Sequence, residues 1–391
     1  HHRLRRRSPS PTLRDGEELR GRKRPQRPRY RPVSKQDIFT FPGYEAAMQT
    51  PIRLPGRVRL EQTLAVVIPS YRVKAHILGV IERIGPEVAM IFVVDDACPD
   101  GSGAFVGDQC RDPRVRVLRH EVNRGVGGAM MTGYRAALDA GADIIVKVDG
   151  DGQMDPALIP HIARPVLARQ ADYAKGNRFH SLWNVRRMPR VRLYGNAALS
   201  FMTKLSSGYW GIFDPTNGYT AIHAAALERI EFANVSERYF FETDMLINLG
   251  NARAVVADVP MEAVYADEVS NLRIRNELWP FLRTHLREVM KRIFYTYFLR
   301  DFTPATLQLL IGAIFLLFGT IYGAAEWYRS VASGEVASTG TVMIAVLPII
   351  LGVQLLLNFL AFDMANEPKV PIQPTLTLAD LFANDAKPDD R

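Results

Sequence analysis

The sequence predicts an α/β fold with a doubly wound sheet, on three observations. Short β-branched runs, each closed by a polar or glycine-rich loop, alternate with helical stretches of roughly ten to fifteen residues. One of these runs, Ile144-Ile145-Val146-Lys147-Val148, delivers Asp149-Gly150-Asp151-Gly152-Gln153 to its carboxyl end, where open α/β sheets place ligands. Two apolar stretches close the chain and set a membrane end apart from the sheet. The 391 residues suffice for one large core or two smaller units.

In chain order, Leu64 to Ile68 reads as a buried strand stopped by Pro69-Ser70-Tyr71, with a helix from about His76 to Ile84 behind it. Met90 to Val94 is a second strand running into Asp95-Asp96-Ala97-Cys98. A helix and then a third strand, Val115 to Leu118, follow. Asn123-Arg124-Gly125-Val126-Gly127-Gly128 opens a helix carrying Met130 to Ala140, and the fourth strand delivers Asp149. Right-handed crossovers put these loops on one edge, which predicts a parallel sheet with four converging loops.

Two carboxylates one residue apart, with glycines between and behind, form an oxygen-rich corner. It suits Mg²⁺ or Mn²⁺ with sites left open for phosphate oxygens. Asp149 and Asp151 are equally good turn formers, or the N-cap of a helix beginning near Met154-Asp155-Pro156, and spacing alone leaves those readings even. Asp95-Asp96 offers acceptors to a base or ribose, and the Asn123 to Gly128 turn allows close backbone approach. Each taken singly is ordinary turn chemistry; their joint order favours a site. The glycine-rich turn follows the third strand and lacks Gly-x-Gly-x-x-Gly, so it is not a dinucleotide fingerprint.

With those residues in order, the stretch from 64 to about 280 resembles a family 2 glycosyltransferase of the GT-A fold. The marks are Pro69-Ser70-Tyr71, Val94-Asp95-Asp96, Asn123-Arg124-Gly125-Val126-Gly127 and Asp149-Gly150-Asp151. The resemblance implies a UDP- or GDP-sugar donor held by Pro69, Tyr71, Asp96, Asn123, Gly127, Asp149 and Gly150, with a metal on Asp149, Asp151 and Gln153. Gln153-Met154-Asp155-Pro156 is similar to the Gln-x-x-Pro tail of the dolichol- and undecaprenyl-phosphate sugar transferase branch, which implies a polyprenyl phosphate acceptor and inversion. Two departures, Arg72-Val73 for the usual Asn-Glu and Ala97-Cys98 for the common Gly-Ser, bear on donor contacts rather than on the fold.

Arg178 matches an arginine that this branch turns toward the acceptor phosphate, and a planar guanidinium suits a phosphate dianion. The helix from about Arg190 to Ser206 adds Arg190 and Arg192, for which a solvated helix face is the alternative. Phe213-Asp214-Pro215-Thr216-Asn217-Gly218-Tyr219 resembles an Asp-Pro-x-x-Gly-Tyr loop, although Pro and Gly also explain a tight turn. In members acting on a hydroxyl, a carboxylate at the Glu242-Thr243-Asp244 position is the general base. A lipid monophosphate, with a second pKa of roughly 6, needs no base. Asp151 and Asp244 are therefore the catalytic candidates, Asp244 as base or only to orient the acceptor or cap its helix. Tyr265 to Leu272 resembles a serine-bearing loop near the donor phosphates, with a solvated turn as the alternative.

The net charge is +8, from 49 Lys+Arg against 41 Asp+Glu. Much of the excess is arginine among prolines in the first 31 residues, a composition expected to be disordered. His1-His2 reads as a trimmed or tagged start without an apolar signal region. The basic tail lacks a recognition module or interleaved aromatics, which argues against nucleic acid. Cys98 and Cys110 make no disulfide framework, and a reduced cytosolic setting is expected.

Thr306 to Trp327 and Val342 to Phe362 contain no Lys or Arg, and each is long enough to cross a bilayer. Ahead of them Arg283, Arg287, Lys291, Arg292 and Arg300 interleave with apolar residues, as in a basic helix lying on a cytoplasmic leaflet. The expected plan is a disordered segment 1–57, a GT-A domain 58–275, amphipathic helices 276–303, two transmembrane helices 304–364 and a disordered tail 365–391. The positive-inside rule puts the catalytic domain and both termini in the cytoplasm. Short two-span anchors also leave room for a homo-oligomer.

Overall fold

A computed structural model describes residues 62–180, 190–238, 240–261 and 274–373. Segment 1–57, the Tyr265 to Leu272 loop and the tail from 374 onward lie outside the described residues. The chain opens with β1 (Leu64–Ser70), α1 (Ile77–Glu82), β2 (Met90–Asp95), α2 (Ser102–Gln109), β3 (Val115–Arg119), α3 (Gly125–Asp139) and β4 (Ile144–Lys147). After a 3₁₀ turn come α4 (Ile159–Leu167), β5 (Tyr173–Asn177), α5 (Arg190–Ser207), β6 (Thr220–His223), α6 (Phe241–Ala252) and β7 (Val256–Pro260). The strands form one sheet in the order β3-β2-β1-β4-β6-β5-β7.

Side-chain alternation divides the core into two layers. Along β1, Ala65 and Val67 face one side and Leu64, Val66 and Ile68 the other. Ala129, Met130 and Tyr134 of α3 with Phe241 and Met245 of α6 close the first layer. Ile77 of α1, Val106 of α2 and Ile159 and Ile162 of α4 close the second. Helices thus cover both faces, as expected for a doubly wound sheet of the GT-A type.

The sheet is mixed, which corrects the all-parallel expectation. β6 runs antiparallel to both β4 and β5, while the β1–β2, β1–β4, β2–β3 and β5–β7 pairs are parallel. After α5 the chain returns at Asp214 to Arg178, beyond the carboxyl end of β5, and enters the sheet from that edge. Strand β6 therefore runs backward, with Thr220 beside Lys147 on one side and Lys175 on the other.

The helix α7 (Ile274–Phe294) and a π-helical segment Tyr295–Arg300 lead to α8 (Pro304–Ser333) and α9 (Thr339–Ala365). Trp279, Leu282, Leu286, Met290 and Phe294 are exposed along one stripe of α7, and His285 and Arg292 are buried where they meet Ser206 and Leu205 of α5. His285 bonds Ser206 at 3.0 Å and packs against Phe240 and Phe281. Burial pushes its pKa down to about 4. Between pH 6.5 and 4 the unfolded chain therefore binds more protons at this residue, and stability is lost as pH falls through that window. The expected cost is about 3 kcal/mol, read as a falling melting temperature that His285→Gln flattens.

Helices α8 and α9 are 30 and 27 residues long, mostly exposed, and apolar enough to be candidate membrane spans. They pack antiparallel, Gly312 against Gly352 and Gly319 against Ala345. At their base Asp363 accepts Arg292 Nη1 and Nη2 at 2.8 and 2.9 Å, Tyr297 Oη at 2.6 Å and Trp210 Nε1 at 2.9 Å. The chain then stays in contact with the sheet and its helices over 366–373, where disorder was expected. The Ile372 and Gln373 amides donate to Asp172, and the Gln373 side chain donates to the Ala171 carbonyl.

Candidate active site

The loops after β1, β2, β3 and β4 meet at one edge of the sheet. The Asp96 amide donates to Ser70 O, and Asn123 Nδ2 donates to Asp96 O at 3.2 Å. The Asp96 carboxylate, 3 % exposed, turns inward. It accepts the Arg124 and Gly125 amides at 2.8 and 2.7 Å and lies 2.8 Å from His120 Nδ1, so it builds the loop after β3. Gly127 and Gly128 donate their amides to Glu237 O, binding the start of α3 to the segment before α6. Pro69, one residue before the end of β1, pairs with Val94. Gly150 packs over Val73 and Ile68, and Tyr71 stays open at the rim under the Arg72 guanidinium.

The Asp149–Gln153 turn follows β4. Asp151 Oδ1 accepts the Gln153 amide at 3.0 Å, and Gly152 sits at φ +81°, where a side chain would be strained. Asp155 caps the 3₁₀ turn Pro156–Leu158 by accepting the Ala157 amide at 3.0 Å. Capping thus falls to Asp155 rather than to Asp149 or Asp151.

The residue before the turn is the unexpected one. Period two from Ile145 points Lys147 into the α6 layer. Its Nζ lies 2.6 Å from Asp149 Oδ1 and 3.7 Å from Glu242 Oε1, with 1 % of its side chain exposed. Burial opposes the ammonium, but the Asp149 and Glu242 carboxylates outweigh burial and raise its pKa above the ordinary value. Gly218 roofs this pair: a Cβ there would stand 2.3 Å from Lys147 Nζ and 3.1 Å from Asp149 Oδ2. Beside it Lys175, also buried, donates to Asn217 O. Desolvation, partly offset by Asp214, Glu242 and Asp258, lowers its pKa to about 8.

Arg178 lies at the end of β5, its Nε and Nη2 at 2.8 and 3.0 Å from the fully buried Asp214. The Asp214 to Tyr219 loop thereby holds the guanidinium. Arg190 and Arg192 open α5; their side chains lie outside the described residues. Asp244 does not share the corner of Asp149. It accepts the amide and hydroxyl of Ser236, and burial, only partly offset by those bonds, raises its pKa. It also lines a cavity of about 530 Å³ between α6 and α7, with Asn248, Arg287, Glu288 and Lys291. Two residues apart on a helix, Glu242 and Asp244 point to different sides. The acid of α6 next to the Asp-x-Asp turn is Glu242. Lys147 carried one usable signal, a lysine inside an otherwise apolar strand; Gly218 stood in the Asp-Pro-x-x-Gly-Tyr loop and Glu242 in the Glu-x-Asp pair, but neither signal pointed to Lys147.

Among the described residues no three His, Cys, Asp or Glu side chains gather into a metal cage. Two carboxylates one residue apart in a single turn, with Gln153 two positions on, are a donor set that suits a hard cation filling its shell with water and phosphate oxygens. Asp149, with 30 % of its side chain exposed, is open to such an ion.

The profile of glycosyl transferase family 2 matches residues 65–231. The UDP-N-acetylglucosamine–dolichyl-phosphate N-acetylglucosaminyltransferase of Methanococcus voltae is 27 % identical over 221 residues, covering 53 % of this chain and 88 % of its own. Polyprenol monophosphomannose synthase of Mycolicibacterium smegmatis is 33 % identical over 213 residues, covering 53 % and 79 %. Among solved structures, glucosyl-3-phosphoglycerate synthase from Mycobacterium tuberculosis, in complex with Mn²⁺, uridine-diphosphate and phosphoglyceric acid, matches with a TM-score of 0.45 at 20 % identity, covering 59 % and 78 %.

Proposed function

The chain belongs to glycosyl transferase family 2, and from that membership we propose a membrane-bound, inverting enzyme that moves a sugar from a UDP- or GDP-sugar to a polyprenyl phosphate. The observation that carries this reading is the attachment of the candidate active site to a membrane hairpin. Arg292, Tyr297 and Trp210 converge on Asp363 at the base of α9, and the apolar stripe of α7 lies alongside. That arrangement suits an acceptor whose phosphate emerges at a bilayer surface. The relatives in Methanococcus voltae and Mycolicibacterium smegmatis, by their names, act with dolichyl phosphate and polyprenol.

In this reading an acceptor phosphate oxygen attacks the anomeric carbon of the donor from the face opposite the departing nucleoside diphosphate. The new C–O bond forms as the bond to the nucleoside diphosphate breaks. Asp149 and Asp151, with Gln153, would hold Mg²⁺ or Mn²⁺, whose charge would stabilise the leaving diphosphate. Pro69, Tyr71, Asn123, Gly127 and Gly150 would border the donor. Asp96 would act one step back, by shaping the loop from His120 to Gly125. Arg178, held by Asp214, and Arg190 and Arg192 would meet the acceptor phosphate. The dianion needs no base, and Asp244, tied to Ser236, is left to organise the segment that receives the Gly127 amide. The basic run from Arg283 to Arg300 favours a cytoplasmic catalytic domain with both termini on the same side. The exposed faces of α8 and α9 would also accommodate a second copy.

The test is transfer of radiolabelled sugar from UDP- and GDP-sugars to short-chain polyprenyl phosphate in detergent, with Mg²⁺, Mn²⁺ or EDTA. A metal-dependent lipid product labile to mild acid is expected. Asp244→Asn is expected to stay within about tenfold of wild type, whereas loss of a general base costs roughly 10²–10⁴. A collapse of that size, with transfer to added glycans, would replace the phosphate acceptor by a hydroxyl and make Asp244 its base.

A further inference from the structure

We propose that Lys147 is a placeholder for the cation: its ammonium holds Asp149 until metal and donor arrive, then passes to Glu242. The inference rests on the metal reading above and concerns how this chain keeps its metal corner assembled beforehand.

Lys147 is committed by the strand that carries it. Its side chain is 1 % exposed, so the charge has no path to water and must remain beside an anion. Asp149 at 2.6 Å holds it, and Glu242 at 3.7 Å lies within ion-pair range but beyond a hydrogen bond. Gly218 closes the space above Nζ, which leaves movement between these two carboxylates. A divalent ion on Asp149 would bring two positive charges into contact with a third at low dielectric, a repulsion relieved when Lys147 changes partner. Glu242 is placed to receive it, because its position in the first turn of α6 faces the same layer as Lys147. Asp149 would then be held in place both without the ion and with it, and Lys147 would act as a positioning residue.

Binding of Mn²⁺ to the full chain in detergent, followed by electron paramagnetic resonance with and without UDP, tests the exchange independently of turnover. Lys147→Met is expected to tighten Mn²⁺ about tenfold by removing its competitor. Glu242→Gln is expected to weaken Mn²⁺ severalfold in the wild-type background and to change nothing in the Lys147→Met background, since Glu242 acts only through the lysine. Equal weakening by Glu242→Gln in both backgrounds would reduce Glu242 to a direct field effect and overturn the exchange alone. Weaker binding by folded Lys147→Met would do the same. Should Lys147→Met fail to fold, Lys147→Arg decides: a guanidinium long enough to keep both carboxylates is expected to weaken Mn²⁺, and unchanged affinity overturns the proposal. No Mn²⁺ signal from wild type with UDP would overturn the metal reading and the exchange together.

Discussion

Asp151→Ala is expected to fold normally and to lose sugar transfer by about 10³-fold or more, the scale on which removing a group that stabilises developing charge acts. The side chain lies in a turn whose backbone is shaped by Gly152 and by its own bond to Gln153. Its loss should therefore leave the melting temperature within a few degrees of wild type. Asp149→Ala is expected to match that loss and to add a stability defect. It removes the nearer of the two carboxylates within ion-pair distance of a buried ammonium and leaves Glu242 at 3.7 Å, and loss of one hydrogen-bond partner of a buried group costs roughly 1–3 kcal/mol. Transfer assays and melting curves on both variants separate the two roles. Equal melting temperatures would mean that Lys147 does not depend on Asp149, and residual transfer above about a tenth of wild type in Asp151→Ala would remove Asp151 from the reaction.

The second large effect is expected at Asp363, where catalytic domain and membrane hairpin are joined. Its carboxylate accepts four hydrogen bonds from Arg292, Tyr297 and Trp210, and it and Arg292 are 4 % and 7 % exposed. Asp363→Ala leaves the guanidinium buried without its anion, for about 3–5 kcal/mol, a fall in melting temperature of roughly 6–20 °C. Asp363→Leu combined with Arg292→Leu is expected to be milder than either change alone, since it removes both charges. In the same preparations, transfer to the lipid should fall further than donor hydrolysis does, because the latter needs only the loop edge of the sheet. Parallel losses of both activities would deny the hairpin a part in presenting the acceptor.

What was legible in the sequence was local. The unbroken apolar run from Leu64 to Ile68 marked a strand buried on both faces, the loops after the first four strands announced a shared edge, and two apolar stretches without Lys or Arg announced α8 and α9. The Asp-Gly-Asp turn was legible because its residues sit within five positions of one another. What tertiary structure decided joins distant positions. Arg178 meets Asp214 across 36 residues, Arg292 meets Asp363 across 71, and the Ile372 amide meets Asp172 across 200. Strand β6 enters the sheet in reverse because of where the preceding loop ends, a fact absent from Thr220-Ala221-Ile222-His223 itself. Glu242 and Asp244 are alike in the chain; the helix turns one toward Lys147 and the other toward Ser236. Local pattern determined which residues are buried and which end loops, since periodicity is set by backbone geometry. Only the folded chain decided which buried charge faces which, since that depends on packing between elements whose separation in sequence carries no trace of their distance in space.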